Sequence, residues 1–221
     1  MLKRLPVCSL CTQQVFVDLG EPLVAPSWDA GFPKHPLHGS KGQQKLFNSV
    51  VLKCKQFRTA VDVGAHIGTW TVLLAQRFNE VWAYEPVDEN FALLRQNAKL
   101  SNVFAMNTAL GAETNLCSMR LPAGGNSGCW QTDSGYDRMI QPLDVYHLDD
   151  VDFIKIDVEG TEGDVLVGAV ETLQRSHPTV FFEDNGLGAL RFGDKWIDPR
   201  GVLRSLGYKL AQRLKKNELW I

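Results

Sequence analysis

From residue 58 onward the chain alternates short apolar, β-branched runs with segments of helical spacing, and this alternation limits the fold more than any other feature. Residues 59–63 form a β-branched run ending in Asp-Val-Gly, and 67–78 carry Trp70, Leu73, Leu74 and Arg77 at helical intervals. A second strand is expected over 80–85, a second helix over 88–100 with Asp88 as its cap, and a third strand over 103–107. The alternation resumes with a strand over 151–157, a helix over 163–175, a strand over 179–183 and a helix over 199–206. Final strands over 208–214 and 218–221 flank Leu214-Lys215-Lys216-Asn217-Glu218, which reads as a hairpin turn. Continuously apolar strands separated by helices belong to an α/β fold, with a parallel sheet covered on both faces and here an antiparallel pair at its end. Residues 108–150 have another texture: strands near 116–121 and 139–143, split by a Gly/Ser/Asn-rich stretch over 122–136.

The 221 residues suffice for one sizeable core and not for two. Residues 1–42, punctuated by Pro and Gly, read as an irregular N-terminal extension with a short strand over 15–18. Residues 43–221 read as a single domain that begins with a helix over 43–56, with Leu46, Phe47, Val50 and Val51 on one face. With 44% hydrophobic and 22% charged residues, the composition is that of a soluble globular protein, and no apolar run is long enough to span a membrane. The first residues lack a signal peptide's apolar stretch, and five irregularly spaced cysteines argue against a disulfide framework, so a cytoplasmic protein is expected. Cys8-x-x-Cys11 could join His35 and His38 in a zinc site, although ordinary thiols are the favoured reading. A net charge of −2 gives no strong nucleic-acid signal. The first 60 residues carry +5 and the rest −7; Lys41, Lys45, Lys53, Lys55 and Arg58 supply a solvated helix face or a surface for an acidic or phosphorylated substrate.

Val61-Asp62-Val63-Gly64-Ala65-His66-Ile67-Gly68 lies where a strand meets a helix. Gly64 permits a tight turn and close approach of backbone N–H groups, and Gly68 lets the helix pack near the strand. The G-x-x-x-G spacing is not the G-x-G-x-x-G that receives a dinucleotide pyrophosphate. Glu85 follows Gly64 by 21 residues at the end of the next strand, before Pro86, where a carboxylate accepts hydrogen bonds from both ribose hydroxyls of an adenosine. Together these residues (Asp62, Gly64, Ala65, His66, Ile67, Gly68, Glu85 and Pro86) form the candidate binding set for S-adenosylmethionine, which carries an amino-acid tail and a sulfonium in place of a pyrophosphate.

Three segments resemble the FkbM-type methyltransferases: Val-Asp-Val-Gly-Ala-His-Ile-Gly-Thr over 61–69, Ala-Tyr-Glu-Pro-Val-Asp-Glu-Asn over 83–90, and Val-Asp-Phe-Ile-Lys-Ile-Asp-Val-Glu-Gly-Thr-Glu-Gly-Asp-Val-Leu-Val-Gly-Ala over 151–169. The resemblance covers about residues 58–184 and implies a Rossmann-like class I methyltransferase fold: a seven-stranded, mostly parallel sheet with helices on both faces and a C-terminal antiparallel strand. It implies methyl transfer to a hydroxyl, often on a sugar or natural product. His66 departs from the family, which usually has Asn there, and residues 1–42 have no clear counterpart.

Chemistry in such a sheet belongs at the carboxyl ends of the strands. Asp157, Glu159 and Glu162 follow one strand and Glu183, Asp184 and Asn185 the next. Asp157 is the expected acceptor-side carboxylate, with Glu159 and Glu183 as further catalytic candidates. Lys155 shares a strand face with Asp157, and with Glu162 it is assigned to the acceptor pocket; Glu162 also suits a helix N-terminus. Asn126 and Ser127, in the mobile 122–136 stretch, suit a lid by position and by family resemblance. His66 and His147 are candidate bases, more simply read as structural histidines. Catechol O-methyltransferase-like enzymes hold Mg²⁺ with a set similar to Asp157, Asp184 and Asn185; a metal-free site is the main expectation. The acceptor is thus expected to be a small molecule or glycan: a sugar, glycolipid or metabolite hydroxyl. The alternatives are N-methylation of a protein or small amine, or a binding module that has lost catalysis.

Overall fold

The computed structural model describes residues 12–15, 23–29, 41–124 and 126–221. Its elements in chain order are β1 (Thr12–Val15), β2 (Leu23–Pro26), α1 (Lys41–Val51), β3 (Thr59–Val63), α2 (Thr69–Ala75), β4 (Glu80–Tyr84), α3 (Asp88–Asn97), β5 (Val103–Met106), β6 (Ala109–Leu110), β7 (Asn115–Arg120) and β8 (Gln131–Gln141). There follow β9 (Val151–Ile156), α4 (Glu162–Val167), α5 (Val170–Ser176), β10 (Thr179–Glu183), α6 (Leu187–Phe192), α7 (Pro199–Ser205), β11 (Leu210–Leu214) and β12 (Asn217–Trp220). The zinc candidates Cys8, Cys11, His35 and His38, and residues 16–18 of the expected first strand, lie outside the described residues.

Seven strands form the main sheet in the order β11-β12-β10-β9-β3-β4-β5. β12 runs antiparallel to both of its neighbours, and the remaining pairs are parallel. This is the seven-stranded, mostly parallel sheet that the alternation and the resemblance implied. Chain order reverses at β3, which lies between β4 and β9, and a crevice opens there at the carboxyl ends of the strands. Period-2 alternation sends neighbouring residues to opposite faces. Val61, Val63, Ile154, Ile156, Val180 and Phe182 pack with Val165, Leu166, Leu173 and Leu203 of α4, α5 and α7. Ala60, Phe153 and Phe181 pack on the other side, with Phe47 and Val50 of α1 and Trp70, Leu73 and Leu74 of α2. The apolar stripe expected for α1 is therefore its core face, and removing a ring such as Phe47's costs about 3–5 kcal/mol.

Several local expectations are corrected. The single helix expected over 163–175 is two, α4 and α5, broken at Gly168 and Ala169. Gly168 is pressed against the Gly111 backbone, and its carbonyl accepts the Asp144 N–H. The Asp144 carboxylate then caps α5 from a distant segment, accepting from the Glu171 and Thr172 amides and the Thr172 hydroxyl at 2.7–2.9 Å. Asp88 does not cap α3: Val87 is the cap, the Val87 N–H donates to Glu85, and Asp88 pairs with Arg138 at 2.6 Å. Residues 131–136 of the expected loop belong to β8, paired antiparallel with β7, which leaves the loop as 121–130. The short helix α6 had no periodic signal. β2 is stitched to α3 by reciprocal bonds between Val24 and Asn97, with Leu23 and Ala25 buried.

Candidate active site

A cavity of about 1310 Å³ opens at the reversal of strand order, over the ends of β3, β4, β9 and β10. A drug-sized ligand occupies a pocket of roughly 300–1,000 Å³, so this cavity has room for a cofactor and an acceptor together.

On the β3–β4 side the wall is the glycine turn. Gly64 has a positive φ of 72°, and a Cβ there would lie 1.9 Å from the Asp157 carbonyl oxygen, so no other residue fits without moving the backbone just after β9. The Gly64 and Ala65 N–H groups both donate to the Tyr84 carbonyl at 3.0 Å. Glu85 is 5% exposed and bonds the same turn: Oε2 accepts from His66 N at 2.8 Å, and Oε1 from Val87 N at 2.9 Å. Burial pushes its carboxyl up to about 7, partly offset by those two N–H groups. Gly64, Ala65, His66, Glu85 and Pro86 line the cavity, whereas Asp62, Ile67 and Gly68 are not on its wall. Ile67 packs with Ala25 and Leu93, and Gly68 is the left-handed N-cap of α2.

Asp62 supports the turn from behind. It is fully buried, accepts from Thr71 Oγ1 at 2.7 Å, and lies 3.3 Å from Lys155 Nζ, its register neighbour on β9. Lys155 also donates to the Gly64 carbonyl at 2.9 Å and reaches Asp157 at 3.6 Å. Burial works against its charge, but Asp62 and Asp157 hold the ammonium above the usual lysine value. One buried cation thus ties the glycine turn to the acidic strand end.

The opposite wall carries Asp157, Glu159 and Glu183. Burial, and next the Asp157 charge, push Glu159 up to about 7 and raise Glu183. Asn185 Nδ2 donates to Glu159 Oε2 at 2.9 Å, and Arg191 holds the Glu159 carbonyl at 2.6 Å. Glu162 is not on the wall: its Oε1 accepts from Gly160 N at the start of α4, and burial pushes it up to about 7. The metal alternative is not assembled. Asp184 pairs with Arg200 at 2.7 Å and does not line the cavity, and Asn185 is committed to Glu159 and the Leu187 amide. Among the described residues no group of three His, Cys, Asp or Glu side chains could hold a metal ion.

Over the β3–β4 side lies the 121–130 loop. Ser127 is fully buried; its N–H and hydroxyl donate to Asp29, its oxygen lies 2.7 Å from His66 Nε2, and its carbonyl accepts from Asn90. Asn126 lines the cavity beside it. His147 ends a 3-10 turn at Leu143–Tyr146, off the cavity wall.

Sequence reasoning passed over several wall residues. Thr69 Oγ1, Tyr84 Oη, Asn90 Oδ1 and Trp130 Nε1 are buried without hydrogen-bond partners among the described residues, and all four residues line the cavity. Asn90 stood inside the segment over 83–90 that carried the resemblance. Lys215 and Lys216, read only as a turn, form part of the rim.

The model of the methyltransferase FkbM domain matches residues 62–210. Methyltransferase FkbM from Methylobacillus flagellatus superposes with a TM-score of 0.53 at 22% identity, over 75% of this chain and 44% of that one. Precorrin-8W decarboxylase from Methanobacterium thermoautotrophicum superposes at 0.50 with 17% identity, over 86% and 88% of the two chains. The 16S rRNA N2 G1207 methyltransferase of T. thermophilus, solved with AdoMet and guanosine, superposes at 0.50 with 12% identity, over 95% and 49%. At these identities the likeness shows a shared fold, and this chain spans less than half the length of the Methylobacillus protein. No curated protein matches the sequence.

Proposed function

Because this chain belongs to the FkbM methyltransferase family, we propose that it transfers the methyl group of S-adenosylmethionine to a hydroxyl of a sugar, glycolipid or other small metabolite. The cavity wall fits that cofactor. It offers unpartnered polar atoms on Thr69, Tyr84 and Asn90, and Glu85 keeps lone pairs beyond the two N–H groups it accepts. In this reading Glu85 holds the ribose hydroxyls, and the Gly64–His66 backbone holds the amino-acid end. The bound cofactor supplies a methyl group on a sulfonium, a leaving group that needs no acid.

What remains for the protein is alignment and removal of the hydroxyl proton. The observation that carries the proposal is Glu159, a cavity-lining carboxyl raised to about 7, with its Oε2 fixed by Asn185. A base of that strength suits neutral pH, and Oε1 takes the proton as the acceptor oxygen attacks. Asp157 orients the acceptor, and after burial its negative charge keeps Glu159 proton-avid; Glu183 completes the acidic wall. The same carboxylates favour a small amine as a second acceptor class.

The reading includes a reducing, cytoplasmic setting, supported by Cys54, Cys117 and Cys129, which are all free thiols. No helix among the described residues is long and apolar enough to cross a membrane.

The test is calorimetric titration with S-adenosylhomocysteine, followed by an S-adenosylhomocysteine-release assay over a panel of sugars, lipid glycosides and amines. Binding near the micromolar level, about −8 kcal/mol, with turnover of hydroxylated compounds is expected. No heat on folded protein would sink the cofactor assignment, and turnover of amines alone would replace the acceptor class.

A further inference from the structure

The acidic wall has a basic rim. The two-residue turn between β11 and β12 brings Lys215 and Lys216 to the edge of the cavity that contains Asp157, Glu159 and Glu183. Lys216 Nζ lies 3.6 Å from Glu183 and its side chain is 66% exposed, so the pair is a loose contact at the mouth. Lys215 makes no ion pair or hydrogen bond among the described residues, and it occupies the left-handed region at φ 58°. Hairpin turns place Gly, Asn or Asp in that conformation because it strains other residues. A lysine there gives the turn nothing, and two adjacent ammonium groups repel each other. Arg213, also on the rim, is occupied by Glu218 at 2.8 Å. The cavity wall also includes the apolar side chains of Leu46 and Trp70, which suit the carbon face of an acceptor.

Building on the methyl-transfer reading above, we propose that the acceptor is a small hydroxylated molecule carrying a phosphate or carboxylate, which Lys215 and Lys216 bind at the rim while its hydroxyl faces Glu159. The ion pair sets the scale. Lys216 Nζ lies 3.6 Å from Glu183, and a charge-assisted hydrogen bond adds about 2.8 Å, so an anion held there sits within roughly 6 Å of the acidic wall. That separation suits a hydroxy acid or a sugar phosphate and is too short for a long spacer. The charges also sort orientation: an anion directed at the three carboxyl groups is repelled, and one at the lysines is held.

The experiment titrates protein saturated with S-adenosylhomocysteine against matched probes: glycerol and glycerol 3-phosphate, glucose, glucose 6-phosphate and glucuronate. The anionic members should bind at least tenfold more tightly than their neutral partners, and added salt should weaken them. The phosphate and carboxylate arms show which anion is preferred. Lys215→Gln/Lys216→Gln should erase the difference and leave S-adenosylhomocysteine affinity unchanged, whereas Lys53→Gln, an exposed lysine off the cavity wall, should preserve it. Equal affinity for charged and neutral members, no binding of any probe, or an unaltered preference in the double variant overturns the proposal. Failure to bind S-adenosylhomocysteine at the outset would instead strike the cofactor assignment, so the two failures are separable.

Discussion

Glu85→Gln, followed as S-adenosylhomocysteine affinity against pH, tests the adenosine end of the site. In the free protein burial raises the Glu85 carboxyl to about 7 from an ordinary 4.5, a shift equivalent to about 3 kcal/mol at 1.36 kcal/mol per unit. This acid is raised in the folded state. Its contribution to stability is therefore present below 4.5 and is lost as pH climbs through 7. Ribose hydroxyls donate to the ionised form, so binding draws the carboxyl back down and releases a proton. If only the carboxylate binds, the ionised fraction rises from about one tenth at pH 6 to about nine tenths at pH 8, and affinity rises about tenfold, or ~1.4 kcal/mol. Glu85→Gln keeps the shape and loses the ionisation. It should bind more weakly at pH 8 by roughly 2 kcal/mol, the value of a hydrogen bond to a charged group, with a nearly flat pH profile. Glu159 also titrates near 7, so the variant, and not the wild-type slope, identifies the group. Calorimetry in buffers of different ionisation enthalpy counts the released proton. A flat wild-type profile, or an unchanged slope in Glu85→Gln, refutes the assignment of Glu85 to the ribose.

Other outcomes follow from the same geometry. Asp157→Asn should abolish turnover while S-adenosylhomocysteine affinity survives; turnover at the wild-type rate would show that Asp157 does not orient the acceptor and would leave Glu159 and Glu183 as the acceptor-side carboxylates. Activity should persist after EDTA treatment, because Asp184 is spent on Arg200; loss restored by Mg²⁺ would reverse that conclusion. Gly64→Ala should abolish cofactor binding and lower Tm, since a Cβ 1.9 Å from the Asp157 carbonyl forces the turn open; wild-type affinity would show that the turn tolerates it. Asp144→Ala should cost about 1–2 kcal/mol in denaturant unfolding through loss of the α5 cap, and an unchanged midpoint would contradict the capping role.

How far the residues reach can be read in particular places. The alternation around Val61–Gly68 and the Ile-Lys-Ile-Asp strand fixed the parallel sheet, because period 2 and period 3.6 are properties of neighbouring residues. The positive φ at Gly64 and the strand-end position of Glu85 were likewise local facts, readable from spacing. The break between α4 and α5 was not, since it depends on Asp144 and Gly111 arriving from elsewhere in the chain. Lys155 is similar: period 2 placed it on the strand face of Asp157, but Asp62 and the Gly64 carbonyl reach it across the sheet from β3. The partition of acids into wall and scaffold was also tertiary. Asp157, Glu159, Glu162, Glu183 and Asp184 look equivalent in sequence, yet burial at the start of α4 and the Gly160 N–H withdraw Glu162, and Arg200 withdraws Asp184. A side chain's chemistry is set by local sequence only as far as its neighbours are local; desolvation and ion pairing sum over every segment that packs nearby. Folding alone could therefore raise Glu159 to about 7 and bring the two lysines of a hairpin turn to the mouth of the same cavity.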